Sequence, residues 1–377
     1  MPLRRTIGGF ITNNPTEPTA PYALSSGDGV WSLTQQFQDT GVDTWPTAGR
    51  PTLEYLAVCN SSGGSVYADI YPWSNGTTGR YGDPINPLNF GNQIRGFAFH
   101  PTGRSVVAIA NGSPPVAYRF SRSGYGTKFA SPAGFPTNLN AGGISFSPDG
   151  NYVAVCHSSG VRIYQWSDDT GFGSQTAYFG GSNVSVAFSN NGSYIAVGST
   201  SSPYLSVYPY SAGVVGSKYA DPATLPPSTV SAITFSPTDD AILIATALTP
   251  FIMAYPWSSS GFGIKYPDPA SLPAGAMSDI DFTRSGALVF CSGSSTGNGY
   301  HGYEWSSSGF GTRRFTGSGT TTGIRFSRIT NIVARGGPTT SSITVNVWDD
   351  TSGFGTGFTI PNFRTNTSSV IRFGVDG

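Results

Sequence analysis

The sequence predicts an all-β fold, a seven-bladed β-propeller with four-stranded blades. Two ladders of residues, and the offset between them, carry that reading. A turn of the Phe-Ser-Pro-Asp-Gly type recurs with its first residue at Phe99, Phe146, Phe188, Phe235, Phe282, Phe326 and Phe373. A strand ending of the Tyr-Pro-Trp-Ser type recurs with its closing aromatic at Trp73, Phe120, Trp166, Tyr210, Trp257, Trp305 and Trp348. Both ladders advance by roughly 42 to 48 residues per step, the period of propeller blades. The second ladder starts before the first and also ends before it. One copy is therefore split between the chain ends, which is how a ring of blades is sealed.

The first 50 residues carry no repeat and form an N-terminal arm; residues 51–377 hold the seven copies. The arm is Gly/Thr/Asn/Pro-rich at its start, so it is expected to be extended or irregular. Its apolar handles, Trp31, Leu33 and Trp45, have no core of their own and must bury either on the ring's flank or in another protein. The ring opens at Leu53-Glu54-Tyr55-Leu56-Ala57-Val58, read as the second strand of the first blade. The fifth copy, residues 230–276, shows a whole blade. Val230 to Phe235 alternates as an inner strand, and Ala241 to Ala245 is continuously apolar, as a strand buried on both faces must be. Phe251 to Tyr255 then runs into Pro256-Trp257, where proline marks the finish of a strand. Ile264-Lys265-Tyr266 supplies the short outer strand. Ser369 to Phe373 is the missing inner strand of the first blade, so the C-terminus closes the ring and removes its exposed edges.

Composition bounds the rest. Lys plus Arg number 20 and Asp plus Glu number 20, and charged residues make only 11% of the chain. A surface built from Ser, Thr, Asn, Gln and Gly carries no strong field, so nucleic acid is not an expected partner. Fifty glycines and 28 prolines, with 13% aromatics, fit short strands and tight turns. No apolar stretch is long enough to span a membrane. The start, Met1 to Ile7, has two arginines without an apolar run behind them, so it reads as no secretory signal. Cys59, Cys156 and Cys291 fall in nearly the same strand slot of three blades and read as small core residues rather than metal or redox sites.

Recurrent Gly-Phe-Gly (Gly171 to Gly173, Gly261 to Gly263, Gly309 to Gly311, Gly353 to Gly355) is not a phosphate loop, because a strand follows it where a helix is required. It is expected to be a turn whose aromatic tucks between blades. His100, His157 and His301 lie in separate blades without metal-ligand spacing. Asp279 and Asp281 alternate on an inner strand and are expected to face the channel as solvated or hydrogen-bonded rather than catalytic groups. No acid/base pair, metal set or cofactor motif stands out, and the expectation is a protein that is not an enzyme. Turns after strands one and three are monotonous, whereas the loops after strands two and four vary, and recognition is expected on that variable face. The aromatics at its junctions, Tyr204, Phe251, Tyr300 and His301, are the candidate ligand-binding residues, with inter-blade packing as the competing role.

The phrase Gly29-Val30-Trp31-Ser32-Leu33 with Trp45-Pro46 resembles the opening segment of tailed-bacteriophage virion proteins of marine and cyanobacterial type. Tyr255-Pro256-Trp257-Ser258 with Gly261-Phe262-Gly263 is similar to propeller repeats of phage structural proteins. Only Val347-Trp348-Asp349 matches the signature dipeptide of Trp-Asp-repeat propellers. The phage resemblance implies a non-enzymatic virion protein on the exterior of tail or capsid, docked on other virion proteins through residues 1–50. On that expectation the propeller is a tail fibre or accessory protein, with a host-surface glycan as its candidate ligand and a homo-oligomer compatible with it. The alternatives are a capsid decoration or head-fibre protein and, from another class, a free carbohydrate-binding propeller lectin.

Overall fold

The computed structural model describes residues 54–375, apart from 63–64, 75–79, 82–87, 90–92, 137–141, 158, 294–298, 322, 337–342, 359 and 361–367. The virion-docking candidates Trp31, Leu33 and Trp45 lie outside the described residues. Among the described residues of the unit Pro51–Gly377, 29 strands, β1 to β29 in chain order, form seven antiparallel sheets. This is the seven-bladed propeller the repeat predicts.

Closure follows the split copy. The first blade orders β29 (Ser368–Val375), β1 (Glu54–Ser62), β2 (Ser65–Ser74) and β3 (Arg80–Tyr81), with β4 (Leu88–Asn89) also paired to β2. The C-terminal strand is therefore innermost, and Leu56 pairs with Phe373 and Val58 with Ile371. The seal is also side-chain deep, since Val370 and Ile371 are buried. The other six blades are continuous in sequence. Their inner strands are β5 (Ile94–Phe99), β9 (Ile144–Phe146), β13 (Asn183–Phe188), β17 (Val230–Phe235), β21 (Asp279–Phe282) and β25 (Gly323–Phe326).

The fifth blade departs from its sequence reading in one place. After β18 (Ala241–Thr246) and β19 (Ile252–Ser258), the outer strand is β20 (Gly261–Phe262), not Ile264 to Tyr266. Gly261 pairs with Ser258 immediately across the reversal. Beyond Phe262 the segment stays beside β19 through single bonds, Gly263 N–H to the Pro256 carbonyl at 2.9 Å and Tyr266 N–H to the Ala254 carbonyl at 3.0 Å. Ile264 is 89% exposed, and Tyr266 carries its ring to Trp305 of the next blade.

The core is seven seams, one between each pair of neighbouring blades. The repeated motifs make them. Trp166, Trp257, Trp305 and Trp348 each meet the phenylalanine of their own blade's Gly-Phe-Gly, with ring centroids 4.9 to 5.4 Å apart. Each also meets an aromatic of the preceding blade: Phe129, Tyr219, Tyr266 and Phe315, respectively. Edge-to-face pairs of this kind add about 0.5–1.5 kcal/mol each beyond burial. The first glycine of the motif is needed on both counts. Gly353 has φ +83°, and a Cβ there would stand 2.5 Å from the Phe315 ring. So the expected tuck between blades is a tryptophan clamp, with the motif's phenylalanine as its inner jaw. Cys59, Cys156 and Cys291 form no disulfide and are buried on strands next to the innermost one, as core residues.

Candidate functional site: the central channel

The inner strands run side by side around the axis; six end in the repeated phenylalanine, and β29 runs two residues past its own, Phe373. Strand alternation turns the residues one and three before that phenylalanine to the same face. One position before it, the blades starting from β5 carry Ala98, Ser145, Ala187, Thr234, Asp281, Arg325 and Arg372. Three positions before it they carry Gly96, Gly143, Ser185, Ala232, Asp279, Gly323 and Val370. The scaffold is sevenfold, but these two rings are not: small neutral residues hold one side, and charge gathers on blades six, seven and one.

A cavity of about 340 Å³ opens at the start of the inner strands and is walled by residues of all seven blades. Its charged lining is Arg95, Asp279, Arg325 and Arg372. A cavity of about 230 Å³ lies toward the other end, with Arg284 and Arg328 in its wall. Five of the chain's 20 basic residues thus line the axis. The expectation of a protein without a marked field needs correction here, because net neutrality conceals a local concentration of arginine. The first cavity lies at the end where the strand-four-to-one connections arrive, which is the face with variable loops.

The two aspartates are tied between blades six and seven. Asp279 is ion-paired to Arg325 at 2.5 Å and accepts the Ile324 N–H at 3.3 Å. Asp281 is ion-paired to Arg328 at 2.5 Å and accepts the Phe326 N–H at 3.0 Å. The expected hydrogen-bonded role holds for both. The reason is that β25 is the edge of its sheet and its free N–H groups need acceptors from the blade beside it. Ser145 does the same job more weakly for Phe188, at 3.5 Å. Burial pushes the Asp279 carboxyl up from its ordinary value, against the pull of Arg325 and Arg372. Arg372 pairs with no carboxylate among the described residues; its Nη1 donates to the Ile371 carbonyl at 2.7 Å. Burial, then repulsion from Arg325, lowers its pKa to about 10.

The aromatic candidates are not brought together. Tyr204 and Phe251 occupy equivalent turns of blades four and five, with φ of +66° and +70°. Each packs into the seam toward the following blade. Tyr300 packs in the seam between blades six and seven, its ring 5.2 Å from Phe354 and 4.9 Å from the Arg335 guanidinium. His301 is 4% exposed, and its Nδ1 lies 3.1 Å from Thr316 Oγ1. Burial, then Arg313, pushes its pKa down to about 4. All four have packing roles in the described structure. The channel arginines were passed over because they come from different blades. The signal that finds them is the departure of the last copies from the small residues that precede the phenylalanine in the others.

No family model and no curated protein matches the chain. Among solved structures it is similar to the periplasmic gluconolactonase PpgL of Pseudomonas aeruginosa, with a TM-score of 0.68 at 18% identity over 85% of this chain and 99% of that one. It is also similar to a candidate 6-phosphogluconolactonase of Bacteroides uniformis, with a TM-score of 0.67 at 14% identity over 86% of this chain and 100% of that one. A candidate 6-phosphogluconolactonase of Bacteroides fragilis gives a TM-score of 0.64 at 12% identity over 87% of this chain and 99% of that one. These likenesses correct the expectation of a phage structural protein displayed as a tail fibre, along with its decoration and lectin alternatives. These three similar propellers carry lactonase names. They also remove the ground for setting the chain outside enzymes: it shares its fold with proteins named as lactonases.

Proposed function

We propose that the propeller handles a small polar molecule in the upper mouth of its channel, and that its reaction is the hydrolysis of a sugar-acid lactone. The observation that carries this reading is the broken symmetry of the channel. A 340 Å³ space, the size of small-molecule sites, has an uncharged wall of small residues opposite arginines and one carboxylate. The names of the similar propellers supply the reaction class.

The residues offer the two services such a reaction needs. A lactone carbonyl set against Arg325 would have its developing oxyanion neutralised by guanidinium donors. Asp279, made more basic by burial, is the carboxylate placed to take the proton from an attacking water. The water oxygen bonds to the carbonyl carbon, the ring C–O bond breaks, and the proton passes on to the leaving ring oxygen. The product is the open hydroxy acid.

The test is acid release by the full chain from glucono-δ-lactone and 6-phosphogluconolactone, followed by pH-stat above the spontaneous rate. Turnover that collapses in Asp279→Asn, while that variant keeps its cooperative melt, is the expected result. Rates equal to background with both lactones would overturn the hydrolase reading.

A further inference from the structure

The charge of the channel separates ligands that its size alone admits. Of the groups lining the upper cavity, Asp279 is held by Arg325 and by a backbone N–H of the next blade. Arg95 is exposed and donates from Nε to Asn111 Oδ1 at 3.1 Å. Arg372 is different. It is half-buried on the closing strand, and its one hydrogen bond goes to a carbonyl of its own strand. A guanidinium presents five N–H donors in a planar fork. None of the Arg372 nitrogens is among the buried atoms lacking a partner, so the remaining donors open onto the cavity. The largest charge interaction on it is repulsion from another arginine, Arg325 of the preceding blade. A positive group so placed is costly to the fold. Asp279 and Asp281 of blade six offset part of its charge, but no carboxylate among the described residues forms an ion pair with it.

Resting on the reading of the channel as a small-molecule site, we propose that the ligand is an anion and that Arg372 is its anchor. The chemical class is a sugar acid or sugar phosphate, whose carboxylate or phosphoryl group meets the guanidinium fork in bidentate fashion while its hydroxyls face the small polar wall of Ser185 and Ser231. Bidentate, charge-assisted pairing is the contact for which arginine is suited and lysine is not. The lowered pKa of Arg372 accords with this: a bound anion restores the charge balance that burial and Arg325 disturb.

The test uses the full chain at low ionic strength, with gluconate, 6-phosphogluconate and inorganic phosphate as anionic probes and glucose as the neutral control. Binding is read by calorimetry and melting by thermal shift. The native protein is expected to bind gluconate or 6-phosphogluconate and to melt higher with it, and not to respond to glucose. Preference for the phosphorylated acid over gluconate identifies phosphate as the anchored group, and the reverse identifies the carboxylate. Arg372→Leu is expected to bind the anion roughly 10- to 100-fold more weakly, the loss of a charged hydrogen-bonding partner. Without ligand it should melt no lower than the native chain, because a charge that forms no ion pair among the described residues has been removed. A merely structural arginine gives the opposite: a lower melting point and unchanged anion affinity. Arg372→Lys should recover part of the affinity.

Three results overturn the inference: no anion binding by the native protein, equal affinity in Arg372→Leu, or binding of glucose as tight as that of the acids. The hydrolase reading fails separately. Arg372-dependent anion binding without lactone turnover leaves the anchor and removes the reaction. Turnover with KM unchanged in Arg372→Leu leaves the reaction and removes the anchor.

Discussion

His301 gives a sharp test of whether the aromatic junction residues are core or surface. It stands on β23 (Tyr300–Ser306), between Cys291 on one neighbouring strand and Thr316 on the other. At 4% exposure, beside Arg313, its pKa falls from 6.5 to about 4. The folded state thus prefers the neutral ring, while the unfolded chain takes up a proton below about pH 6.5. A depressed folded pKa contributes stability that is fully present above the unfolded value and is lost as pH falls through the folded one. Each pKa unit is worth 1.36 kcal/mol, so the loss between pH 7 and pH 4 amounts to about 3 kcal/mol. That is a large share of the 5–15 kcal/mol typical of a folded domain.

The assay is urea unfolding of the native chain and His301→Gln at half-unit steps from pH 7.5 to 4.5. The native free energy should decline by about 1.4 kcal/mol per pH unit in the middle of this range from this residue. The variant should lose that component. A shallower slope remains in it, because burial and Arg162 also lower the pKa of His157. Parallel curves for the two proteins would refute the reasoning, as would an NMR titration of His301 near pH 6.5. Either result would return the ring to solvent, where a ligand could reach it.

Three further outcomes follow from the packing. Gly143→Ala places a Cβ 2.7 Å from Cys156 Sγ and 2.8 Å from Ser185 Cα of the next blade; overpacking of this kind costs about 1–3 kcal/mol, measured by chemical unfolding, and an unchanged midpoint would show that the inner strands can part. Asp168 bridges blades by accepting from Thr102 Oγ1 at 2.7 Å and Ser105 Oγ at 2.6 Å. Burial raises its pKa, but these bonds and His100 outweigh burial and lower it, so its contribution is present above the unfolded pKa near 3.9 and is lost as pH falls through the folded value. Asp168→Asn should therefore be less stable than native at pH 7 by about 1–2 kcal/mol, with the gap closing below pH 4; a gap independent of pH would argue against the charged bridge. Removal of residues 367–377 strips β29 from the first blade, leaves β1 as a bare edge and uncovers the Leu56 and Val58 side chains. The truncated chain should be unfolded or aggregated by circular dichroism and light scattering, and a native cooperative melt would disprove the closure.

Legibility in the sequence followed repetition. Seven copies of one phrase fixed the blade count, and the split copy fixed which strand seals the ring, because both depend on period rather than on any single side chain. The slot shared by Cys59, Cys156 and Cys291 was readable for the same reason. What failed was local or scattered. Ile264-Lys265-Tyr266 has strand propensity, yet the regular outer strand is only Gly261–Phe262, and the segment beyond is held to β19 by single bonds such as Tyr266 N–H to the Ala254 carbonyl. Tyr300 and His301 look like loop aromatics, but they begin a strand, where Tyr300 packs in a seam and His301 is buried. The channel charges were hidden for a geometric reason. Arg95, Asp279, Arg325 and Arg372 come from four blades, and closure brings the last of them beside the first. No window along the chain contains them; only a column across the copies does.

That column also explains why the site sits where it does. A perfect sevenfold ring would surround its axis with seven identical side chains, and such an axis could not orient an asymmetric molecule. Asymmetry must come from copies that diverge, and here the divergent ones are blades six, seven and one. The first blade is the one closed by the C-terminal strand, so Arg372 belongs both to the seal and to the cavity. Anything that binds the sealed ring and not the unsealed one stabilises the seal by mass action, by about 2.7 kcal/mol at a concentration one hundred times Kd. The charge that Arg372 brings to the axis weakens closure in the free protein, and an anion held there would restore it. The clasp of the ring and the anchor of its ligand are one strand, so the site is expected to be fully formed only when the ring is shut.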